Sequence, residues 1–390
     1  MLDFYEFFAG GGMARTGLAQ GWRCRFANDI DDKKAAVYKI NFNGAPELKV
    51  CNVAALTTND LPGIADLAWA SFPCQDLSLA GHRCGLIGER SGAFWPFWRL
   101  MQGLMIENRA PRLIVVENVC GALTSHGGQD FMAIAEAFTQ AGYCFGAMVI
   151  DAIHFLPQSR PRLFLIGAKA DVEIPPGIKS AAPNPLWHSV AIRERVAQFS
   201  LEMRHHWIWW RLPPPPPRMT VFADLIESEP EGVDWHTPEE THRLLSMMSE
   251  INCAKVSMAQ ATGRRRVGGV YKRTRCGVQR AEVRFDDVAG CLRTPLGGSS
   301  RQTILIVEGD SIRSRLLSPR EAARLMGLPD SYRLPKKYND AYHLAGDGLA
   351  VPVIRHLAAH ILEPVLNVVE PLPAYPFDLF SYSQVMEMAA

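Results

Sequence analysis

Short apolar runs alternate with helical patterns over residues 3–170, and this alternation restricts the possible folds more than any other feature. The patterns predict strands at 3–8, 24–28, 67–71, 112–116, 146–151 and 162–167, and helices at 12–20, 31–42, 92–108 and 128–142. Such alternation is typical of a mostly parallel sheet with helices on both faces. We therefore expect an α/β domain that binds its ligands at the carboxyl edge of the sheet.

A second domain is indicated by a change in composition after about residue 170. Prolines become frequent, residues 213–217 are all proline, and residues 218–310 are rich in Arg, Gly and Thr, which favours irregular structure with short strands. We predict a first domain at 1–170, completed by about 339–367. A smaller, mixed and irregular second domain at 171–338 and a tail at 368–390 complete the organisation.

Two helices are expected in the C-terminal part. Ser318 caps a predicted helix at 318–327, Pro319 opens it and Gly327 closes it. Residues 351–367 predict a further helix that returns to the first domain. The tryptophans ahead of the proline run are interpreted as core packing of the second domain, although they could also stack on bases: Trp207, Trp209 and Trp210.

Bulk properties exclude several classes of protein. The formal net charge is +1, so any affinity for nucleic acid must come from local basic patches. Nine cysteines without a Cys-x-x-Cys pair or zinc-ligand spacing favour a reduced, cytoplasmic protein without a metal. Asp3 and Glu6 argue against a signal peptide, and the apolar runs are too short for a membrane span.

A glycine-rich turn follows the first predicted strand. Gly10, Gly11 and Gly12 allow a sharp turn close to a ligand, but their spacing does not match the dinucleotide pattern. Asp29 follows the strand at 24–28, where a carboxylate can accept hydrogen bonds from ribose hydroxyls. A nucleoside cofactor without phosphates fits, and S-adenosylmethionine is the obvious candidate. The alternative is a plain strand–helix turn with a surface aspartate.

Cys74 is the candidate nucleophile. It follows Pro73 at the end of the predicted strand 67–71, and a thiolate is strongly nucleophilic when its pKa is lowered. The alternative is a small buried residue, as most free cysteines are. The polar, glycine-containing loop at 76–91 favours the functional interpretation, because it resembles a lid that closes over a substrate.

A carboxyl group and two arginines complete the candidate chemistry. Glu117 ends the predicted strand 112–116, where desolvation favours a neutral acid that can donate to a ring nitrogen. Arg160 and Arg162 have the spacing to orient a carbonyl and pair with that carboxyl. A helix cap at Glu117 and surface salt bridges at the arginines are the alternatives.

Taken together, these motifs resemble the DNA (cytosine-5) methyltransferase family across nearly the whole chain, except the recognition region and the tail. The motifs occur in the family's order: Phe8 to Gly12, Pro73-Cys74-Gln75, Glu117-Asn118-Val119, Gln158-x-Arg160-x-Arg162, Ser318-Pro319-Arg320-Glu321 with Met326-Gly327, Gly346-Asp347-Gly348 and Val351-Pro352-Val353. Several short motifs in a fixed order are a stronger signal than any one of them.

The resemblance implies a role for each matched residue. Cys74 would attack C6 of a flipped cytosine, Glu117 would bind N3 and the amine, and Arg160 and Arg162 would orient the pyrimidine carbonyl and Glu117. The implied cofactor contacts are Phe8, Gly10, Gly12, Asp29, Ile30, Asn52, Pro73 and Asp347. Three of these depart from the family pattern: Ile30 replaces an aromatic residue, Asn52 replaces an aspartate and Asp347 replaces an asparagine.

The resemblance implies that the first domain is the catalytic and cofactor-binding domain and that the second is the target-recognition domain. DNA contacts are therefore expected mainly in the segment that varies within the family, between the arginine motif and the Pro-Arg-Glu helix. Arginine can read guanine bidentately, but contact with phosphates is the better expectation for most of these side chains. The candidates are Gln75, Ser78, Arg264, Arg265, Arg266, Tyr271, Lys272, Arg273, Arg275, Arg293, Thr294 and Arg301.

The expected enzyme is a monomeric, prokaryotic restriction–modification methyltransferase that acts on double-stranded DNA. A restriction endonuclease would be its functional pair without forming a stable complex, and no membrane partner is expected. One alternative is a tRNA cytosine-5 methyltransferase, although the Cys-Phe-Thr signature of that relative is missing. A catalytically silent DNA-binding or regulatory homologue and, more distantly, a nicotinamide dehydrogenase are the others.

Overall fold

The structure is a computed structural model that describes residues 1–72, 93–275, 277–292 and 301–366. The chain divides into two compact units. The first unit contains residues 1–151, 161–215 and the chain from 351 onward, and the second contains 152–160 and 216–350.

A seven-stranded sheet forms the centre of the first unit, in the order β3-β2-β1-β4-β5-β7-β6. Its strands are β1 (Leu2–Phe7), β2 (Trp22–Asp29), β3 (Leu48–Val50), β4 (Leu67–Ala70), β5 (Leu113–Val119), β6 (Tyr143–Asp151) and β7 (Pro161–Lys169). Strands β1 to β5 are parallel to one another, whereas β7 is antiparallel to both β5 and β6. The predicted mostly parallel sheet is confirmed, and only the three-residue β3 was not anticipated.

Helices cover the sheet because their apolar side chains recur at helical spacing. The helices of this part are α1 (Met13–Leu18), α2 (Asp32–Asn41), α3 (Phe94–Ile106) and α4 (Gln129–Gln140). On α3, Phe94, Phe97 and Trp98 are fully or almost fully buried, and the Trp98 ring packs 4.8 Å from Phe138 of α4. Strand β4 is buried along its whole length, as expected for a central parallel strand.

Residues 171–215 remain with the first unit, so the domain boundary differs from the one predicted at residue 170. They form α5 (Val190–Ala197), α6 (Leu201–His206) and the short paired strands β8 (Lys179–Ser180) and β9 (Trp209–Trp210). Trp210 Nε1 donates to the Ile166 carbonyl of β7 at 3.2 Å, and Trp207 lies edge-on to Phe145 of β6 at 5.4 Å. The tryptophans therefore pack as predicted, but in the first unit.

The second unit is more regular than its composition suggested. Helices α7 (Pro238–Ser246) and α8 (Glu250–Ala261) precede an antiparallel sheet in the order β11-β10-β12-β13, formed by β10 (Arg266–Arg275), β11 (Val278–Arg284), β12 (Thr303–Glu308) and β13 (Ser311–Leu316). Leu244 and Val256 of the helices share a core with Val270, Val283 and Leu305 of the sheet. This core explains why an arginine-rich segment folds into a sheet.

The predicted helix at 318–327 is confirmed as α9 (Pro319–Leu325), and α10 (Tyr338–Asp347) follows it. Ser318 and Glu321 form a capping box, in which each side chain accepts from the backbone of the other residue. Glu321 is fully buried and also pairs with the fully buried Arg315 at 2.6 Å. Residues 339–350 lie in the second unit, again different from the prediction.

The chain finally returns to the first unit, as predicted, through α11 (Val351–Leu357), a π-turn at Ala358–Leu362 and α12 (Glu363–Val365). A side chain at Gly17 of α1 would place its Cβ 2.5 Å from that of Ile354, so this close contact requires glycine. The Arg355 guanidinium donates to the Leu18 carbonyl at 2.7 Å, and Trp22 Nε1 donates to Glu363 at 3.0 Å. None of the helices in the described ranges has the length and apolar character needed to cross a bilayer.

Candidate active site

The predicted functional residues of the first unit gather at one edge of its sheet. Strands β1, β2, β3, β4 and β5 run parallel, so their carboxyl ends share that edge, and antiparallel β7 begins there. The strand order reverses beside β1 and β4, which is where open α/β sheets bind ligands. The glycine-rich loop, Asp29, Asn52, Phe72, Glu117 and Arg162 all lie at the ends of these strands.

The glycine-rich loop is fixed by Asp29. One carboxylate oxygen of Asp29 accepts from the Gly10 amide at 2.7 Å, and the other accepts from the Asp31 amide at 2.8 Å. Phe8 has a φ of 57°, which is unusual for a residue with a side chain. A Cβ on Gly12 would lie 2.2 Å from the Phe42 ring, so only glycine fits this left-handed position.

The other predicted cofactor-contacting residues that the structure describes differ in their exposure and in their place in the fold. Ile30 is 67% exposed beside Asp29, which is unusual for a large apolar side chain. Asn52 is exposed, and its side-chain oxygen caps a short 3₁₀ turn by accepting from the Ala54 amide at 2.9 Å. Asp347 lies in the second unit, exposed, as the last residue of α10.

Cys74 and Pro73 lie outside the described residues, as do Gln75, Ser78 and the expected lid at 76–91. The residue from which the chain enters this segment is nevertheless well anchored. Phe72 is 3% exposed, and its carbonyl accepts from the Asn118 side chain at 3.4 Å. The Ser71 amide donates to the Phe7 carbonyl of β1 at 3.4 Å. The chain therefore leaves β4 at the carboxyl edge of the sheet, two residues before Cys74.

Glu117 and Arg162 are brought together as predicted. In the β5–β7 register Glu117 lies opposite Phe164 and Val119 opposite Arg162, so Glu117 and Arg162 share a sheet face. The Arg162 Nε atom lies 3.4 Å from a Glu117 carboxylate oxygen, and both side chains are largely buried. A buried carboxyl beside a guanidinium is a group whose protonation and orientation the protein can control.

The four cysteines among the described residues of the first unit are poorly suited to nucleophilic attack. Cys120 follows β5 close to the Glu117–Arg162 pair, but burial raises its pKa to about 11. Burial also raises the pKa of Cys24 to about 12 and increases the pKa values of Cys51 and Cys144. These four side chains are thiols at neutral pH, and thiols are weak nucleophiles.

Arg160 belongs to the second unit and is 2% exposed. Its guanidinium donates to the carbonyls of Gly346 at 2.9 Å, Gly348 at 2.6 Å and Leu292 at 3.3 Å. Nearby, Gln158 Nε2 donates to the Leu325 carbonyl at 2.6 Å. These bonds connect the arginine motif to the turn that carries Asp347.

The predicted DNA-contacting arginines divide into two groups. Arg264 is exposed in the loop before β10, and the half-exposed Arg273 lies 3.6 Å from Glu282 of β11. Arg266, in contrast, donates to the Phe285 carbonyl at 2.9 Å, and Arg265 makes long contacts, at 3.5 Å, with the carbonyls of Ala223 and Ile226. Arginines that already bind the protein's own backbone are less available to DNA.

The remaining candidates in the second unit are less uniform. The Tyr271 ring packs against Gly290, where a Cβ would lie 2.3 Å from its hydroxyl oxygen. Lys272 lies opposite Ala281 on the helix-covered face of the sheet, and Arg275 ends β10. Arg301 stacks over the Tyr338 ring at 5.4 Å. Arg293 and Thr294 lie outside the described residues.

Glu6, which was not among the predicted site residues, lies in β1 shortly before the glycine-rich loop. Glu6 is 1% exposed in β1, where it accepts from the Tyr38 hydroxyl at 2.8 Å and from the Arg15 amide at 3.3 Å. Burial raises its pKa to about 7. The available signal was an acidic residue between the apolar Tyr5 and Phe7 in the buried half of β1, because such a group is rarely buried without a partner.

Known proteins resemble the chain over most of its length. Residues 2–363 match the C-5 cytosine-specific DNA methylase family. A type II methyltransferase, M.NlaX from Neisseria lactamica, is 26% identical over 92% of this chain and 95% of its own length. M.HhaI from Haemophilus parahaemolyticus is 24% identical over 92% of this chain and 94% of its own length.

Solved structures share the fold. The S. pombe Dnmt2 methyltransferase has a TM-score of 0.56 at 18% identity and covers 93% of this chain and 99% of its own. The Entamoeba histolytica methyltransferase EhMeth has a TM-score of 0.59 at 14% identity, with 94% and 99% coverage. The family match spans both units and every motif at the carboxyl edge of the sheet. The protein belongs to the C-5 cytosine-specific DNA methylase family and is a DNA (cytosine-5) methyltransferase.

Proposed function

We propose that the protein transfers a methyl group from S-adenosylmethionine to carbon 5 of a cytosine that is flipped out of a specific duplex DNA sequence. The observation that supports this best is the buried Glu117–Arg162 pair, 3.4 Å apart, at the edge where the chain leaves β4 toward Cys74. Flipping is required because the ring carbons cannot be reached inside the base stack.

Cys74 is assigned the nucleophile. Its thiolate forms a bond to C6 of the cytosine, and the ring electrons shift so that carbon 5 becomes nucleophilic. Glu117 donates a hydrogen bond to N3 and accepts one from the exocyclic amine. Arg162 orients Glu117 and the pyrimidine carbonyl. Methyl transfer to carbon 5 would leave S-adenosylhomocysteine as the second product. A base then takes the proton from carbon 5, and the electrons of that C–H bond re-form the ring double bond as the bond from Cys74 to C6 breaks and the thiolate is restored.

The residues at the glycine-rich loop fit S-adenosylmethionine. Asp29 already accepts two backbone hydrogen bonds, and its carboxylate retains capacity for ribose hydroxyls. The exposed Ile30 side chain offers an apolar surface for a purine ring. When bound, the cofactor supplies an electrophilic methyl group on a sulfonium sulfur. Phe8, Gly10, Gly12, Asn52, Pro73 and Asp347 are proposed as the further contacts.

Arg160 is proposed to act beside the reaction rather than on the base, because its guanidinium holds the Gly346–Gly348 turn. The second unit is proposed to recognise the target sequence, with the exposed Arg264 and the half-exposed Arg273 as the first candidates for DNA contact. Gln75, Ser78, Arg293 and Thr294 remain candidates in segments outside the described residues. The related type II methyltransferases suggest a paired restriction endonuclease and a cytoplasmic location.

Transfer of labelled methyl from S-adenosylmethionine to mixed-sequence duplex DNA, followed by bisulfite sequencing, tests the proposal. We expect methylation of carbon 5 of cytosine in one short motif. Cys74→Ser should abolish turnover and leave DNA binding intact, whereas the matched control Cys253→Ser, which replaces an exposed cysteine, should remain active. Retained methylation in Cys74→Ser would refute the covalent mechanism, and transfer to tRNA alone would refute the DNA substrate.

Trapping on modified DNA gives a second, independent test. Fluorine at carbon 5 of the target cytosine cannot leave as a proton, so the bond to Cys74 should persist. We expect a protein–DNA species that survives denaturing electrophoresis and is missing for Cys74→Ser. Failure of the wild-type protein to form it on a methylatable sequence would contradict the assigned chemistry.

A further inference from the structure

The carboxyl of Glu6 forms hydrogen bonds with α1 and α2 next to the glycine-rich loop. Its Oε1 atom accepts from the backbone amide of Arg15 in α1 at 3.3 Å, and its Oε2 atom accepts from the Tyr38 hydroxyl of α2 at 2.8 Å. Asp29 holds the same loop at Gly10. The two carboxylates therefore fix the two ends of the segment from Gly10 to Arg15.

The groups around Glu6 form one connected polar cluster. Arg15 donates to the Tyr38 hydroxyl at 3.3 Å, pairs with Glu47, and stacks over the Phe42 ring at 4.4 Å. The Cys24 thiol of β2 lies 3.7 Å from the Tyr38 hydroxyl. The charged and titratable neighbours of Glu6 are thus Arg15 on α1, Tyr38 on α2, Cys24 and Asp29 on β2, and Glu47 before β3.

We propose that Glu6 is a positioning residue, and that its carboxylate form holds the loop in the geometry that binds the cofactor. The inference rests on the proposed use of S-adenosylmethionine. A carboxylate can accept from both Arg15 and Tyr38, whereas a protonated carboxyl must use one oxygen as a donor. With the proton on Oε2, the Tyr38 hydroxyl would have to accept from Glu6 instead of donating to it, although the Tyr38 oxygen already accepts from Arg15.

Charge adds to this effect. The sulfonium cofactor carries a net positive charge, which a buried carboxylate attracts and a neutral carboxyl does not. The protonation of Glu6 is expected near neutral pH because burial raises its pKa to about 7, against the opposing effects of Tyr38 and Arg15. If only the carboxylate form binds, affinity should fall about tenfold between about pH 8 and about pH 6.

Calorimetric titration of the full-length protein with S-adenosylmethionine, without DNA, tests this inference. The wild type should bind about tenfold more weakly at the lower pH, and Glu6→Gln should bind with little pH dependence. The comparison with Glu6→Gln also removes the contribution of the cofactor's own amino group, which titrates near pH 8. Circular dichroism establishes that each variant is folded.

Tyr38→Phe provides a variant that does not remove the carboxyl. It retains the ring that packs against Gly12 but deletes a donor that favours the charged form of Glu6, so the pH midpoint of binding should move upward. A residue with only a structural role would weaken binding equally at every pH. An unchanged midpoint in Tyr38→Phe, or pH-independent binding by the wild type, would overturn the inference. A wild type that binds no cofactor at any pH would instead refute the proposed function.

Discussion

Acidification from about pH 7 to about pH 5 should destabilise the first unit by about 2 kcal/mol through His188 alone. This side chain is fully buried, its Nδ1 atom accepts from the Asn184 amide at 2.7 Å, and its ring lies 4.9 Å from Trp209. A protonated ring would direct an N–H group at the Asn184 N–H. Burial accordingly lowers the pKa of His188 to about 4.

The sign and the size follow from the difference between the folded and unfolded states. In the unfolded chain a histidine takes up its proton near pH 6.5, so between pH 6.5 and 4 the unfolded state binds more protons than the folded state. The contribution of His188 to the free energy of unfolding is therefore fully present above about pH 6.5 and decreases as the pH falls toward about 4. The difference of about 2.5 pKa units corresponds to about 3 kcal/mol in total, of which about 2 kcal/mol is lost by pH 5.

Urea unfolding followed by tryptophan fluorescence measures this effect, because every tryptophan except Trp235 lies in the first unit. His188→Asn keeps an acceptor for the Asn184 amide but cannot become charged. Its stability loss between about pH 7 and 5 should be about 2 kcal/mol smaller than that of the wild type, a difference of roughly 1 M in urea midpoint. His205→Asn, at an exposed position, is the matched control. Equal pH dependence in the wild type and His188→Asn would refute the reasoning.

Three further predictions concern the second unit. Arg315→Met leaves the buried Glu321 carboxylate without its guanidinium, so the free energy of unfolding, measured by urea unfolding followed by circular dichroism, should fall by about 3–5 kcal/mol. Arg284→Met, in an exposed pair, should lower it little, and similar losses in the two variants would contradict this account. Arg273→Ala should lower the slope of log DNA affinity against log salt concentration by about 1. Arg266→Ala should leave the slope unchanged, because that side chain is bound to the Phe285 carbonyl. A lower slope in Arg266→Ala and an unchanged slope in Arg273→Ala would contradict this assignment. Exchange of residues 250–302 for those of a relative should change the methylated sequence, which sequencing of the product reads directly; an unchanged sequence would place recognition elsewhere.

The sequence was most informative where local pattern and tertiary role agree. Strand β4 is a short apolar run that is buried along its whole length, and the Ser318 capping box marks the start of α9. The pairing of Glu117 with Arg162 could also be anticipated, since both lie at the ends of predicted strands. In each case the relevant contacts are local or follow directly from sheet topology.

The sequence was least informative where long-range packing decides the outcome. Proline-rich residues 171–215 looked like a second domain, but Trp207 and Trp210 attach them to β6 and β7. The role of Arg160 depends on carbonyls at Gly346 and Gly348, nearly two hundred positions away in the chain, which no local pattern reveals. Helices α7 and α8 were not predicted, because the Arg, Gly and Thr content of residues 218–310 as a whole was interpreted as irregular structure with short strands.

The return of α11 to α1 also has a consequence for biosynthesis. The hydrogen bond from Arg355 to the Leu18 carbonyl cannot form until 337 further residues have been synthesised. The bond from Trp22 to Glu363 requires 341 further residues. At a synthesis rate of about 5–20 residues per second, α1 stays uncovered on the ribosome for roughly 20–70 s. The glycine-rich loop precedes α1 directly, so the packing that supports this loop is completed only after residue 363 has been synthesised.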